Sequence, residues 1–129
     1  MTSHLDPRQI LRRQLRQTRR NLSSQEQQSA ALQLSSRFKE HADHFHLTSG
    51  KRVALYLTND GEISPHVLCA DFWEQGIETY LPVVQGKHLT FARYSSETVW
   101  QENIFGIKEP VTMDYVSGEE LDLVLLPLV

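Results

Sequence analysis

The stretch "VALYLTNDGEISPHVLCADFWEQGIETYLPVV", residues 53–84, decides the fold class. Residues 53–57 are apolar on both faces of a strand, which is typical of a strand buried in a parallel sheet. Ser64 and Pro65 then open a helix, and Gly76 ends it. Residues 77–84 are again apolar and predict a second strand. A strand, a helix and a strand in this order form a βαβ unit, for which we expect a right-handed crossover.

Apolar segments further along the chain extend the predicted sheet. Gly86 and Lys87 form a turn, and the alternation in 89–94 predicts a third strand. The pattern weakens over 95–118, which predicts an irregular connection. The segment "LDLVLLPL", 121–128, predicts another buried strand. The fold class is therefore α/β with a parallel or mixed sheet over residues 52–129.

Two helices precede this sheet. Asp6 and Pro7 form a helix start, and the capping box of Ser23 and Glu26 opens a second helix. The short link between the two helices predicts a helical hairpin over 6–46, within one domain of 1–129. The first helix has one face at helical spacing made of Leu11, Leu15, Thr18 and Leu22. The predicted buried face of the second helix consists of Ala31, Leu34, Phe38, Ala42 and Phe45.

The composition favours a soluble globular protein. The chain has 129 residues, of which 40% are hydrophobic, and its apolar runs are too short for a membrane span. The polar, basic N-terminal region has no apolar core of a signal peptide. The single cysteine, Cys69, excludes an internal disulfide, and we expect it to be a small buried apolar residue. We therefore expect a cytoplasmic monomer without a membrane partner.

The N-terminal region is strongly basic, whereas the remainder is acidic. Residues 1–22 contain six arginines and one acid, Asp6, although the whole chain has a net charge of −3. Arg8 and Arg12 are one helical turn apart, so their guanidinium groups can converge on one phosphate chain. The alternative is a solvated face whose arginine stems cover apolar surface. Direct nucleic-acid binding is disfavoured, because the rest of the chain is acidic and contains no nucleic-acid module.

The segment Asn59-Asp60-Gly61-Glu62 follows the first predicted strand directly. It therefore lies at the mouth of the sheet, where α/β proteins bind ligands. Gly61 permits a tight reversal, and Glu62 can bind an amine-rich ligand before the next helix. The alternative is an ordinary turn with a solvated acid. Histidines 41, 44 and 46 lack an acid or cysteine that would complete a familiar metal site.

The order of five segments resembles the 5-formyltetrahydrofolate cyclo-ligase family. These segments are "RQILRRQLRQTRRNLS", "KRVALYLTNDGEIS", "GIETYLPVV", "FGIKEP" and "LDLVLLPLV". The resemblance implies an enzyme that uses ATP and Mg²⁺ to convert 5-formyltetrahydrofolate, a reduced folate, to 5,10-methenyltetrahydrofolate, with release of ADP and phosphate. It further implies that the formyl oxygen is phosphorylated, that N10 attacks the activated carbon, and that phosphate then leaves.

The same resemblance implies roles for four residues. A basic residue of the N-terminal helix and an arginine one turn later contact ATP, and these positions match Arg8 and Arg12. The glutamate after the first strand binds the folate and matches Glu62, and Leu57 matches a residue that lines the same pocket. A carboxylate suits a pterin, whose N–H groups can donate two hydrogen bonds to it.

The family pattern continues beyond the last predicted strand into a glycine-rich, phosphate-gripping loop. We therefore expect this chain to lack the C-terminal part of the fold, including that loop and the magnesium ligand. Two alternatives follow from this expectation. One is an inactive truncated remnant, and the other is a small anion-binding or nucleic-acid-binding module that uses the basic N-terminal helix.

Overall fold

A computed structural model describes residues 6–104 and 106–127. In these ranges the α-helices are α1 (Pro7–Arg20), α2 (Ser24–Glu40) and α3 (His66–Glu74), and short 3₁₀ helices span Ala42–His44 and Gly118–Glu120. The strands of the described residues are β1 (Arg52–Ala54), β2 (Glu78–Gln85), β3 (His88–Tyr94), β4 (Val99–Glu102), β5 (Lys108–Val111), β6 (Tyr115–Val116) and β7 (Leu123–Val124).

The main sheet is mixed and has five strands in the order β6-β3-β2-β1-β7. Strand β1 is parallel to both of its neighbours, with Val53 opposite Thr79 of β2 and Leu123 of β7. The pairs β2–β3 and β3–β6 are antiparallel. Because β1 and β2 are adjacent, parallel and joined by α3, they form the predicted βαβ unit. The predicted α/β fold with a mixed sheet is confirmed.

The main core lies between the sheet and helices α2 and α3. Val53, Leu68 and Phe72 are at most 2% exposed, and Leu34 and Phe38 of α2 pack against the same cluster. A second cluster of Ala54, Tyr80, Phe91 and Val116 lies apart from it. Since successive residues of a strand point to opposite faces, the neighbours Val53 and Ala54 serve one cluster each.

Polar contacts join α2 to α3 at the edge of the core. The hydroxyl of Ser35, which is buried, donates a hydrogen bond to the carboxylate of Asp71. The ammonium group of Lys39 lies 3.2 Å from the same carboxylate. The hydrogen bond from Ser35 and the charge of Lys39 lower the pKa of Asp71 below its ordinary value. The sequence pattern did not identify Ser35 as part of the buried face of α2.

The helices differ from the sequence prediction in which side chains they bury. Helix α2 ends at Glu40, so Ala42 lies in a 3₁₀ helix and is exposed, and Phe45 is 39% exposed and stacks on Phe38 with ring centroids 4.7 Å apart. In α1, no described residue is buried, and Leu11 and Leu15 are about half exposed. The predicted buried positions Ala42 and Phe45 were wrong because helical periodicity was extended beyond the end of α2.

Two strand predictions also need correction. Strand β1 ends at Ala54, and Leu57 is 45% exposed instead of buried. The segment 121–128 forms a strand only over Leu123–Val124, at the edge of the sheet, where Val124 is 43% exposed. Residue 128 lies outside the described residues. An apolar run thus predicted a longer and more buried strand than the sheet accommodates.

The segment 95–118 is more regular than the sequence predicts. Strands β4 and β5 pair antiparallel as a separate two-stranded sheet, and β6 joins the edge of the main sheet. Every residue of β4 is exposed, so this strand lacks the alternation of buried and exposed positions by which a strand is recognised in a sequence.

Cys69 is buried in α3, as the sequence predicts. Its side chain belongs to the main core and is 3% exposed. Burial raises the pKa of the thiol to about 12, because the apolar surroundings disfavour the thiolate. Among the described residues, no helix is both long and apolar enough to cross a membrane.

Candidate functional site

The turn that follows β1 is closed by its own hydrogen bonds. Asp60 and Gly61 have φ angles of 56° and 74°, and the backbone N–H of Glu62 donates to the carbonyl oxygen of Asn59 over 3.1 Å. Positive φ at both central residues is the signature of a type I′ turn, which favours Asp-Gly. The Glu62 carboxylate accepts a hydrogen bond from the backbone N–H of Asn59 over 3.1 Å. We call residues 59–62 the DG turn.

The residues on either side of the DG turn fasten it to the end of the strand. The hydroxyl of Thr58 donates to the carbonyl oxygen of Glu62 over 2.5 Å, and the phenol of Tyr56 donates to the carbonyl oxygen of Ile63 over 2.6 Å. Burial, together with the nearby Glu62 carboxylate, raises the pKa of Tyr56. The Glu62 carboxylate is therefore held in a defined position.

Glu62 borders a largely apolar cavity of about 350 Å³. The cavity lies between the DG turn, α2 and the segment after β7. Its apolar lining includes Leu22, Ala30, Leu34, Ile63, Leu125 and Leu126. Gln27, which also lines it, donates a hydrogen bond from its amide to the carbonyl oxygen of Gly61 over 3.0 Å. A largely apolar cavity whose wall carries the Glu62 carboxylate and the Arg19 side chain suits a flat heterocycle that carries N–H donors.

Leu57 lies in a different cavity from Glu62. It lines a cavity of about 430 Å³ with Leu81, Ile107 and Lys108. Glu62 also borders a more polar cavity of about 500 Å³, which shares Leu22, Gln27 and Gly61 with the apolar one. Thr58 and Asn59 line both of these cavities and so separate Leu57 from Glu62.

Three arginines near the C-terminal end of α1 converge on one carboxylate of the DG turn. Asp60 forms ion pairs with Arg16 at 3.6 Å and Arg19 at 3.2 Å, and a closer one with Arg20. Arg19 also donates from Nε to the carbonyl oxygen of Asp60 over 2.8 Å. The hydrogen bond from Arg20 and the charges of the three arginines lower the pKa of Asp60 below its ordinary value of 3.8. We call these four residues the Asp60 cluster.

Sequence reasoning did not identify the Asp60 cluster. The signal was available in part, because Arg16, Arg19 and Arg20 are three and four residues apart and so lie on one side of a helix. Nothing in the sequence shows, however, that this side of α1 meets residue 60.

Arg8 and Arg12 lie towards the other end of α1. Both are exposed, and within residues 6–104 and 106–127 neither guanidinium group forms an ion pair with a carboxylate. With a rise of about 1.5 Å per residue, Arg8 lies about 16 Å along the helix axis from Arg19. Arg12 also borders a shallow pocket with Gln9, Arg13 and Arg16. The structure thus does not bring Arg8 and Arg12 into contact with Glu62, although α1 links the two regions.

The described residues do not provide a metal site of their own. No group of three or more histidine, cysteine, aspartate or glutamate side chains within them could hold a metal ion. The rings of His41 and His44 lie 5.8 Å apart without a third ligand from the described part of the chain. A magnesium ion would therefore need further ligands, such as the phosphate oxygens of a nucleotide.

Similar proteins support the resemblance seen in the sequence. A 5-formyltetrahydrofolate cyclo-ligase from Haemophilus influenzae is 36% identical over 128 residues, which cover 95% of this chain and 66% of that protein. A 5-formyltetrahydrofolate cyclo-ligase from Escherichia coli K12 is 29% identical over 120 residues, covering 89% of this chain and 64% of that protein. The chain thus spans slightly less than two thirds of the length of these relatives.

A solved structure has the same fold. The NMR structure of Aquifex aeolicus 5,10-methenyltetrahydrofolate synthetase superimposes with a TM-score of 0.72 and 28% sequence identity, over 90% of this chain and 58% of that chain. The model of the 5-formyltetrahydrofolate cyclo-ligase family matches residues 5–129, almost the entire sequence. The chain belongs to the 5-formyltetrahydrofolate cyclo-ligase family.

Proposed function

We propose that this protein takes part in the ATP-dependent cyclisation of 5-formyltetrahydrofolate to 5,10-methenyltetrahydrofolate, with release of ADP and phosphate. Membership of the family, over residues 5–129, supports the proposal. The names of two relatives support it as well. The Haemophilus influenzae protein is named for the substrate 5-formyltetrahydrofolate, and the Aquifex aeolicus protein is named for the product 5,10-methenyltetrahydrofolate.

The observation that carries the proposal is the position of Glu62. Its carboxylate is fixed by the DG turn and borders an apolar cavity of about 350 Å³. In our proposal the pterin of the folate occupies this region, and its N–H groups donate to the carboxylate. Charge-assisted hydrogen bonds of this kind are stronger than neutral ones, so Glu62 would orient the folate as well as bind it. We propose Leu57 as a second folate contact, reached across Thr58 and Asn59.

For the nucleotide, we propose Arg8 and Arg12 as the phosphate-binding residues. Both are exposed and lie one helical turn apart, without a carboxylate partner within the described residues. Guanidinium groups are always charged and bind phosphate oxygens in pairs, which makes these residues suitable for ATP. Magnesium bound with the nucleotide would neutralise further charge on the phosphates. The side chains of this chain would hold and orient the two substrates.

The test is ATP-dependent and magnesium-dependent formation of 5,10-methenyltetrahydrofolate, followed by its absorbance. The chain is assayed as it stands and as a fusion with the C-terminal third of the Haemophilus influenzae relative. Turnover by either protein, lost when ATP is omitted, supports the proposal. If neither protein turns over and calorimetry detects no binding of 5-formyltetrahydrofolate to either, the proposal is wrong.

The exposed basic helix favours one second candidate, a module that binds polyanions such as nucleic acid. Arg8, Arg12 and Arg13 are all exposed on α1. If they bind nucleic acid, affinity for a short oligonucleotide must fall steeply as the salt concentration rises. The absence of binding at low salt would eliminate this candidate and leave the cyclo-ligase proposal unaffected.

A further inference from the structure

Within residues 6–104 and 106–127, the ion pairs between helix α1 and the rest of the molecule lie at its C-terminal end. None of its described residues is buried, and Ile10, Leu11 and Leu15 are between 43% and 54% exposed. An exposed helix of 14 residues has little intrinsic stability in water, so its position depends on tertiary contacts. The tertiary polar contacts described above for α1 run from Arg16, Arg19 and Arg20 to Asp60.

The main chains of α1 and the DG turn also approach each other closely. A Cβ atom on Gly61 would lie 2.9 Å from the carbonyl oxygen of Arg19 and 3.2 Å from the Cα atom of Arg20. Only glycine permits this approach at a φ of 74°. The turn therefore contacts α1 through its backbone at Gly61 and through a side chain at Asp60.

The charges of the Asp60 cluster do not cancel. Three guanidinium groups surround one carboxylate, so the cluster has a local excess of positive charge. The arginines repel one another, and the Asp60 carboxylate offsets part of this repulsion. Loss of its charge would therefore remove three attractive interactions and leave the repulsion in place.

We propose that Asp60 is a positioning residue that fixes α1, and with it Arg8 and Arg12, relative to Glu62. The inference rests on the proposed function for the identity of the two ligands. Asp60 and Glu62 belong to the same four-residue turn, which connects the folate side to the nucleotide side. In this proposal Asp60 acts through α1, because it sets the direction of the helix that carries Arg8 and Arg12.

The test uses Asp60→Asn, with Asp43→Asn as its control. Asparagine tolerates the positive φ of 56° at position 60, so the backbone of the turn is preserved while the charge is lost. Asp43 is an exposed aspartate in the 3₁₀ helix Ala42–His44, so its replacement changes the net charge equally. We measure hydrogen exchange of the α1 and α2 amides in the wild-type chain and in both variants.

We expect the α1 amides of Asp60→Asn to exchange at least tenfold faster, while those of α2 keep their rates. The α2 amides show that the variant has folded. Equal α1 rates in the wild type, Asp60→Asn and Asp43→Asn would overturn the proposal. This readout involves no ligand and is therefore independent of the proposed function.

Ligand affinities then separate positioning from general destabilisation. Calorimetry is performed with MgATP and with 5-formyltetrahydrofolate. We expect Asp60→Asn to weaken MgATP binding about tenfold and folate binding less than twofold, because Glu62 stays in place. Equal weakening of both affinities, or no change in the MgATP affinity, would contradict a positioning role. If the wild-type chain binds neither compound, the affinities are measured in the fusion with the C-terminal third of the Haemophilus influenzae relative. If the fusion also binds neither compound and does not turn over, the proposed function fails, and the exchange rates alone decide whether Asp60 fixes α1.

Discussion

The carboxylate of Glu62 stabilises the DG turn and, in our proposal, also binds the folate. It accepts the N–H of Asn59 and still borders the apolar cavity. Glu62→Gln keeps an oxygen for the Asn59 bond but removes the charge, and a hydrogen bond to a charged group contributes about 1.5 to 3 kcal/mol. We therefore expect the affinity for 5-formyltetrahydrofolate to fall about ten- to hundredfold, measured by calorimetry. Glu119→Gln, at an exposed position, is the control and should leave the affinity unchanged.

Gly61 and Gly86 provide a matched pair for the close approach of α1. Both have positive φ, at 74° and 61°, but a Cβ atom at position 86 would meet nothing within 4 Å. Gly86→Ala should lower the free energy of unfolding by about 1 to 2 kcal/mol, through backbone strain alone. Gly61→Ala should cost about 1 to 3 kcal/mol more, because the Arg19 carbonyl must also move. If urea unfolding gives equal losses of free energy for Gly61→Ala and Gly86→Ala, the close contact between position 61 and α1 does not contribute to stability.

The arginines of α1 divide into two groups along the helix. Arg16, Arg19 and Arg20 are engaged by Asp60, whereas Arg8 and Arg12 are exposed without a carboxylate partner in the described ranges. Arg8→Gln and Arg12→Gln should each weaken MgATP binding about tenfold, as expected for the loss of one charged hydrogen-bonding group. Arg37→Gln, on the exposed side of α2, is the control. If both variants bind MgATP as tightly as Arg37→Gln does, neither Arg8 nor Arg12 contributes to nucleotide binding.

Low pH should detach α1 from the DG turn, because it protonates the Asp60 carboxylate. The arginines depress the pKa of this carboxyl below 3.8, so its contribution to stability is complete above that pH and is lost as pH falls through the lower value. Arg16, Arg19 and Arg20 face it from α1, and Glu62 and His66 line the same cavity. Once released, α1 should fray, because isolated helices of its length are marginal.

The measurement is far-UV circular dichroism during an acid titration of the wild type and Asp60→Asn. We expect the wild type to lose helical signal below pH 3.8, in a step that is absent from the variant because its α1 is already released. Other carboxyls, such as Asp71, titrate in both proteins and cancel in the difference. Superimposable titrations would show that Asp60 does not hold the helix.

Phe72 of α3 lies in the main core and connects it to helix α2. It is 2% exposed in the main core and meets Phe38 of α2 edge to face, with ring centroids 5.3 Å apart. Phe72→Ala should lower the free energy of unfolding by about 3 to 5 kcal/mol, the usual cost of a large cavity. Phe45→Ala removes a 39% exposed ring that stacks on Phe38, and it should lower the free energy of unfolding by only about 1 kcal/mol. Urea titrations that give similar losses would mean that the core relaxes around the cavity.

The sequence predicted those parts of the fold whose signals are local. The start of α2 at Ser23 and Glu26 and the end of α3 near Gly76 depend on capping and backbone conformation, which short motifs encode. The β4–β5 pair was missed because every residue of β4 is exposed, so this segment lacks the alternation of buried and exposed positions that identifies a strand. For residues 121–128 the apolar sequence predicts a longer strand than the structure has. Apolar character alone does not reveal that β7 lies at the edge of the sheet.

The candidate site was predictable to a smaller extent. The position of Glu62 after a buried strand and before a helix indicated the mouth of the sheet, where the structure has a cavity. The Asp60 cluster joins residues about forty positions apart, and no periodic pattern encodes such a pairing. The separation of Leu57 from Glu62 likewise depends on the path of the backbone through Thr58 and Asn59.

The burial of Cys69 gives this protein an internal reporter of its own opening. A thiol that is 3% exposed, with a pKa of about 12, reacts negligibly with alkylating agents while the core is intact. It is the only cysteine in the sequence. Alkylation therefore requires an opening of the structure around Cys69, which lines a pocket of about 270 Å³ with Leu57 and His66. Mass spectrometry during incubation with iodoacetamide measures the fraction of alkylated molecules over time, and hence the rate of opening, without an introduced label.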